Sequence, residues 1–444
     1  MGRRRIVITG MGAVTPLGHN VEELWRRVLA GESGVSATTT FEARTFPSRF
    51  SAEVRDFSHE AELPDGVNHI HEQTARHVGF MLSAALQAWR QAQLPIPLPE
   101  QGCGNSNGYV PAADQMGIYL GAGEGPVDFE NFIMALTEGW QSESKDIDWR
   151  KWAKTAFAGM DAIRELEQEP NMSLSHLAQL FELRGPHFSC LTACAASTQA
   201  IGEATELIRD GQAQIMLAGG AHSMIHPLGV TGFNRLTALS VRNEDPPGAS
   251  RPFDRDRDGF VLAEGAGTVI LEELACARRR GVKILGEVVG YGSTADAFRV
   301  TDQHEDGRGG IAAVRLALQD AHMGVNDIDY INAHGTGTIE NDSIETKVIK
   351  AVFGQRAYQI PISSVKSMLG HLIAAAGVVE FITCILAIRD QIIPPTINLQ
   401  TPDAECDLDY VPNEARKAKV KTAMSNSFGF GGQNNTVILR KFEE

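Results

Sequence analysis

The chain has 444 residues, 43% hydrophobic and 21% charged, with a formal net charge of -15. This composition excludes a disordered chain and gives length for two domain-sized cores, while the acidic balance repels nucleic acid at long range. No apolar run reaches the roughly 18 residues of a membrane span, and the basic start runs into Ile6-Val7-Ile8-Thr9-Gly10, too short and glycine-broken for a signal peptide. The expectation is a cytoplasmic protein whose six scattered cysteines stay reduced.

Short β-branched runs at 5–9, 117–120, 214–217, 328–331 and 360–363 read as buried strands, each near an Ala-rich helical stretch, which is an α/β pattern. The stretch 93–115 is rich in Pro, Gly and Asn and reads as a surface loop. The stretch 125–170 holds Trp140, Trp149 and Trp152 among many acids and reads as a partly helical excursion whose aromatics are expected to be buried. Segments 187–219 and 360–397 look alike: each is a strand, a small-residue turn and an Ala-rich helix, ending in Ile208-Arg209-Asp210 or Ile388-Arg389-Asp390. This is an internal duplication. Its seam is expected at 276–283, before a fresh strand at 284–289, dividing the chain into 1–278 and 279–444.

Four runs carry chemistry. In Gly185–Gly202 (GPHFSCLTACAASTQAIG) a strand ends at Ser189 or Cys190 and a helix follows Cys194. Helix amides and the macrodipole would lower the thiol pKa there and favour acyl transfer. Alone, an inert buried cysteine explains the position as well, and Cys190 reads as that kind of small core residue. Asn332-Ala333-His334-Gly335-Thr336-Gly337-Thr338 places a histidine just past a strand, with Asp342 and Glu345 on the next helix. Ser363 to His371 (SSVKSMLGH) again ends a strand and opens a helix on a Gly-His step, and Lys366 in that apolar setting demands a partner. Ser425 to Asn434 (SNSFGFGGQN) is a Gly-rich turn whose amides can approach a reacting oxygen. A thiol, two histidines, a lysine and an amide loop, each at a strand end, point to one site rather than four coincidences.

Other patterns fail. Asp254-Arg255-Asp256-Arg257-Asp258-Gly259 resembles a calcium loop, but Glu264 falls one place short of the bidentate position and Pro252 denies a preceding helix. Gly10-x-Gly12 is followed by Thr15 and Pro16 where a dinucleotide fingerprint needs a third glycine and a helix start. His69 and His71 read as surface decoration.

The four motifs, in this order, resemble the beta-ketoacyl synthases of the thiolase superfamily, the elongating type of dissociated fatty-acid and polyketide systems. The resemblance runs from Ile6-Val7-Ile8-Thr9-Gly10 through Arg251-Pro252-Phe253-Asp254 and Asp258-Gly259-Phe260 to the C-terminal strand, omitting only the two excursions. It implies a thiolase fold, two duplicated halves in five αβαβα layers. It implies that Cys194 takes an acyl group from a carrier protein, that His334 and His371 bind malonyl thioester as CO2 leaves, and that Lys366 holds the histidines in their working charge state. Backbone amides of Cys194 and Phe430 would form the oxyanion hole, with Phe430 gating an acyl pocket that also holds Phe428 and Glu124. No cofactor is required. A structural monovalent or hard divalent cation would take Asn332, Glu380, Ser425 and Asn434, unless these simply hydrogen-bond.

The implied partners are acyl carrier protein bearing acyl and malonyl thioesters and a second copy of the chain, or a heterodimer mate; neither nucleic acid nor membrane is expected. The rival from another class is a non-catalytic chain-length factor, which lacks the cysteine. Two departures stand out. The carrier-facing helix near 73–80, basic in similar enzymes, offers only Arg76. Glu124 occupies a place the family usually gives to an aliphatic residue; it would either face the acyl chain, disfavouring long saturated groups, or turn away and pair within 125–170.

Overall fold

The computed structural model describes residues 3–64, 71, 74–96, 103–105, 108–125 and 128–444. His69, and residues 97–102 and 106–107 of the 93–115 stretch, lie outside these residues.

Ten strands form the main sheet: β1 (Ile6–Val14), β2 (Met116–Gly121), β3 (His187–Cys190), β4 (Ile215–His222), β5 (Gly265–Glu273), β6 (Gly286–Ala295), β7 (Tyr330–Asn332), β8 (Ile362–Ser363), β9 (Thr422–Gly429) and β10 (Gln433–Arg440). Their order is β8-β7-β9-β10-β6-β1-β5-β4-β2-β3. The ladder consists of two five-stranded halves joined where Ile6, Val7 and Ile8 of β1 meet Val288, Glu287 and Gly286 of β6. In each half two antiparallel pairings lead to two parallel ones, β1-β5-β4 then β2-β3, and β6-β10-β9 then β7-β8. The duplication seen in the sequence is therefore a repeated strand pairing.

The principal helices are α1 (Arg76–Gln91), α2 (Phe129–Gly139), α3 (Trp149–Gly159), α4 (Ala162–Glu167), α5 (Met172–Phe181), α6 (Ala196–Arg209), α7 (Arg308–Ala321), α8 (Ile339–Phe353) and α9 (Ala376–Asp390). α1 covers β1 and β5 on one outer face, and α7 covers β6 and β10 on the other. Between the sheets, α6 and α9 pack on each other and on strands of both halves, which makes five αβαβα layers. A layer bounded by sheets on two sides has no wet face, so α9 is buried from Ala376 to Ile388 and its sequence is apolar all round. Close approach of the central helices needs a missing side chain: a Cβ on Gly377 would stand 3.0 Å from the Thr198 amide.

Two expectations fail here. The excursion is helical as α2, α3 and α4, but Trp149 is 63% exposed, Trp140 is also exposed, and α3 buries no residue. These helices pack mainly as the pair α2 and α3 over the body, so one layer of short helices leaves its second apolar face uncovered. His71 is buried rather than superficial, because its Nδ1 meets His176 Nδ1 at 3.0 Å and His176 Nε2 meets Glu167 at 2.8 Å, tying the excursion to the segment before α1. Within 93–115, Cys103–Asn105 pairs with Gly108–Val110 as a small hairpin.

Candidate active site

Cys194 lies in a short 3-10 turn, Ala193–Ala195, between β3 and α6. Ala193 holds a positive φ of 47°, a strained conformation for a residue with a Cβ, which sharpens the turn. The second half repeats the device: Ile373 has φ 48° and opens the 3-10 turn Ile373–Ala375 before α9. In that half the turn holds His371 two residues upstream instead of a thiol.

Cys194 Sγ and one ring nitrogen each of His334 and His371 lie within 4.8 Å of one another, and all three residues are buried. The ring centroids of the histidines are 5.4 Å apart and nearly perpendicular. Each ring is held by its Nδ1. The Ile373 amide donates to His371 Nδ1 at 3.3 Å, and Lys366 Nζ donates to His334 Nδ1 at 3.3 Å. An accepting Nδ1 on a neutral ring fixes the proton on Nε2. His371 Nε2 is buried with no protein partner, so its N–H is an unspent donor beside the thiol. Burial first, and then the Lys366 charge, hold both imidazoles far below their ordinary pKa, so both are neutral at neutral pH.

Lys366 is itself buried. It donates to the His334 carbonyl at 2.7 Å and pairs with Glu380 on α9, so the partner its sequence setting demanded is present. Burial raises the Glu380 carboxyl, with Lys366 opposing the shift. The His334 loop hangs on α8: Glu345 accepts the amides of His334 at 2.9 Å and Gly335 at 2.8 Å, and Asp342 accepts those of Phe253 and Gly337.

The thiol departs from the sequence reading. Burial pushes Cys194 up to about 11, against the Lys366 charge and the amides of Phe430 and of Cys194 itself. The helix start and the two amides are in place, but desolvation of a thiolate outweighs them. Gly429, packed 3.2 Å from the Cys194 amide at the position of a Cβ, brings the Gly-rich turn against the start of α6, and the amides that favour the thiolate are those of Phe430 and Cys194. Cys190, at the end of β3, is half-buried rather than in the core, and its Sγ donates to the Ala196 carbonyl at 3.4 Å.

A cavity of about 380 Å³ opens on Cys194, His334 and His371 and is lined by Glu124, Phe428 and Phe430, the three residues expected in the acyl pocket. Phe233, which sequence reasoning did not single out, lines it too, as does Phe260 of the Asp258-Gly259-Phe260 run, which packs edge-on against His371 at 5.1 Å. The pairing of Glu124 was also unforeseen: its Oε2 meets His222 Nε2 at 3.3 Å, a partner on β4 and not in the excursion. Nothing in the local sequence joins a residue just past one strand to the last residue of another, 98 positions apart.

Asn332 and Ser425 are register partners on adjacent parallel strands and share a face of the sheet. Asn332 Oδ1, Ser425 Oγ and Glu380 Oε2 are all buried without a protein partner. Asn434 is paired with Phe428, three positions along the hairpin from Ser425, so its side chain is on the opposite face, beside Gly309 and Asp296. The fourfold set is thus divided into three and one.

The model of the beta-ketoacyl synthase N-terminal domain matches residues 3–277, and that of the C-terminal domain matches residues 285–400. The chain belongs to the beta-ketoacyl synthase family. Among its relatives, a 3-oxoacyl-[acyl-carrier-protein] synthase 2 of Coxiella burnetii is 41% identical over 99% of each chain, and one of Synechocystis is 40% identical over the same share. Among solved structures, a ketosynthase of a type II polyketide synthase, in complex with its acyl-carrier protein and bound to the hexaketide, is similar over 100% of each chain, with a TM-score of 0.83 and 32% identity. The ishigamide ketosynthase/chain length factor matches with a TM-score of 0.83 and 33% identity. This beta-ketoacyl synthase fold agrees with the five layers described above. Among the described residues no helix is long and apolar enough to cross a membrane.

Proposed function

We propose that the protein is a 3-oxoacyl-carrier-protein synthase, joining an acyl group held on Cys194 to the two carbons of malonyl-carrier protein with loss of CO2. The observation that carries this is the pair of Nε2–H donors beside one thiol, both fixed by partners at Nδ1. In the first half-reaction Cys194 Sγ attacks the acyl thioester carbonyl, the oxyanion rests on the N–H groups of Cys194 and Phe430, and the carrier's thiol leaves with the cysteine proton. In the second, the malonyl thioester oxygen accepts from His334 and His371. The C–C bond to the carboxylate breaks, CO2 departs, and the resulting enolate carbon attacks the acyl carbonyl and expels the Cys194 thiolate, which takes up a proton from water. Neutral rings suit this step, since a neutral N–H donates a hydrogen bond to the enolate oxygen but is too weak an acid to protonate the enolate before it attacks.

The working assembly is a homodimer in this reading. The edge strand β3 has no neighbour beyond it among the described residues, and Phe188 and Leu191 stand exposed at that edge. A non-catalytic chain-length factor would have no use for the thiol. Asn332, Ser425 and Glu380 supply oxygens suited to a hard cation, which would brace β7 and β9 under Lys366; Asn434 would not join them through its side chain. Cys194→Ala tests the assignment: condensation should vanish while some malonyl decarboxylation persists, because the histidine donors remain. A variant that still condenses refutes it.

A further inference from the structure

Glu124 follows β2 and lines the cavity that contains Cys194. The group that holds it, His222, is the last residue of β4 and is buried, with its ring lying where a side chain on Gly123 would otherwise be: a Cβ there would overlap His222 Cδ2 and stand 2.7 Å from Nε2. On the other side Gly125 lies so close to the Gln168 carbonyl that a Cβ could not be accommodated. The backbone on both sides of Glu124 is therefore fixed by close approaches, and the carboxylate is aimed by a ring that cannot swing away. This is a built position and not a loose surface acid.

An ionised carboxylate only accepts hydrogen bonds. The Glu124 side chain is 67% exposed, so keeping its charge costs little, and the His222 hydrogen bond favours the ionised form. A methylene chain laid against it gains no burial and strips water from a charge, whereas a hydroxyl on the chain replaces that water with a charge-assisted hydrogen bond. A wall that accepts a hydroxyl rejects the analogue lacking it more strongly than a greasy wall rejects one extra methylene. We propose that Glu124, positioned by His222, is a specificity-determining residue that selects acyl groups carrying a hydroxyl over saturated chains of the same length. This rests on the condensing-enzyme reading given above and names the substrate class of its acyl pocket.

The test loads the full-length protein from carrier-protein thioesters of hexanoate and of its hydroxyhexanoate isomers, following acylation of Cys194 by intact mass. Wild type should load at least one hydroxy isomer about tenfold faster than hexanoate, equivalent to about 1.4 kcal/mol. In Glu124→Leu the ratio should fall to one or below, with hexanoate gaining. In Glu124→Gln, nearly isosteric and checked for the same fold by circular dichroism, the ratio should shrink without inverting, since an amide oxygen still accepts. His222→Leu should shrink it as well, by releasing the carboxylate. Equal loading of hexanoate and every hydroxy isomer by wild type, or a preference that survives Glu124→Leu, overturns the inference while leaving the condensing enzyme intact. No acylation of Cys194 from any thioester overturns both.

Discussion

Lys366→Met separates what holds the site together from what makes it work. Lys366 is buried, donates to His334 at its carbonyl and its Nδ1, and neutralises Glu380. Methionine keeps most of the volume and removes the charge and its donors, leaving the Glu380 carboxyl, raised by burial, without its cation. Breaking a buried pair costs about 3–5 kcal/mol. With an unfolding entropy of about 2.1 cal/mol/K per residue, a chain of 444 residues melting as one unit converts that loss into a Tm decrease of roughly 4 °C. Adding Glu380→Leu removes the stranded carboxyl and should restore most of the Tm. Activity should not return. Without a donor at Nδ1, His334 no longer holds its proton at Nε2, and losing one oriented donor costs about 100- to 1,000-fold in rate. Malonyl decarboxylation should therefore fall by that factor in both variants, while Cys194 still accepts an acyl group, more slowly for want of the ammonium charge. Differential scanning calorimetry and CO2 release from malonyl thioester read the two quantities. Decarboxylation that recovers together with the Tm in the double variant would show that Lys366 acts only as a structural counter-ion, and the tautomer argument would be wrong.

The Cys194 thiol, held near 11 by burial, should be alkylated by iodoacetamide at a rate rising about tenfold per pH unit from pH 7 to 10; a plateau near pH 7 would mean a preformed thiolate. His334→Ala and His371→Ala should each abolish most decarboxylation, and the double variant should lose far less than the product of the single losses, since both act on one oxygen; multiplicative losses would separate them. Burial depresses His71 and His77 from 6.5 to about 4, so their neutral forms contribute stability in full above about pH 6.5, lost as pH falls toward 4. At 1.36 kcal/mol per unit the fully buried His77 contributes about 3 kcal/mol and the less desolvated His71 a smaller share, and the Glu167 carboxyl, which burial raises but His176 and the Ala75 amide hold below its ordinary value, adds loss in the same direction. Limited proteolysis should then open the α4 and α5 region between pH 6.5 and 4, and His71→Leu should flatten that dependence; an unchanged pH profile in the variant would contradict it.

Most of the fold was legible because the buried strands announce themselves as β-branched runs and the two central helices as Ala-rich stretches that follow small-residue turns. Cys194, His334, Lys366 and His371 were legible because each sits at a strand end next to small residues, and the chain folds those ends to one place. Three things were not. The thiol pKa depends on how much water the fold removes, which no local pattern encodes, so the helix start was weighed without its opposing desolvation. The pairing of Glu124 with His222, and the burial of His71 against His176, join residues from separate elements. Trp140 and Trp149 are exposed because the excursion has one layer of its own and nothing over it among the described residues, a matter of what packs where and not of hydrophobicity.

Intact-protein mass spectrometry of wild type and Cys194→Ala, first with acyl-carrier protein and then with malonyl-carrier protein, decides whether Cys194 carries the acyl group and the histidine pair delivers the enolate to it. Wild type should gain one acyl mass, localised to the peptide containing Cys194, and lose it on malonyl addition as 3-oxoacyl-carrier protein forms; Cys194→Ala should gain nothing. A stable acyl mass on Cys194→Ala at another cysteine such as Cys190, or an acyl group on wild type that malonyl-carrier protein does not discharge, would contradict the account.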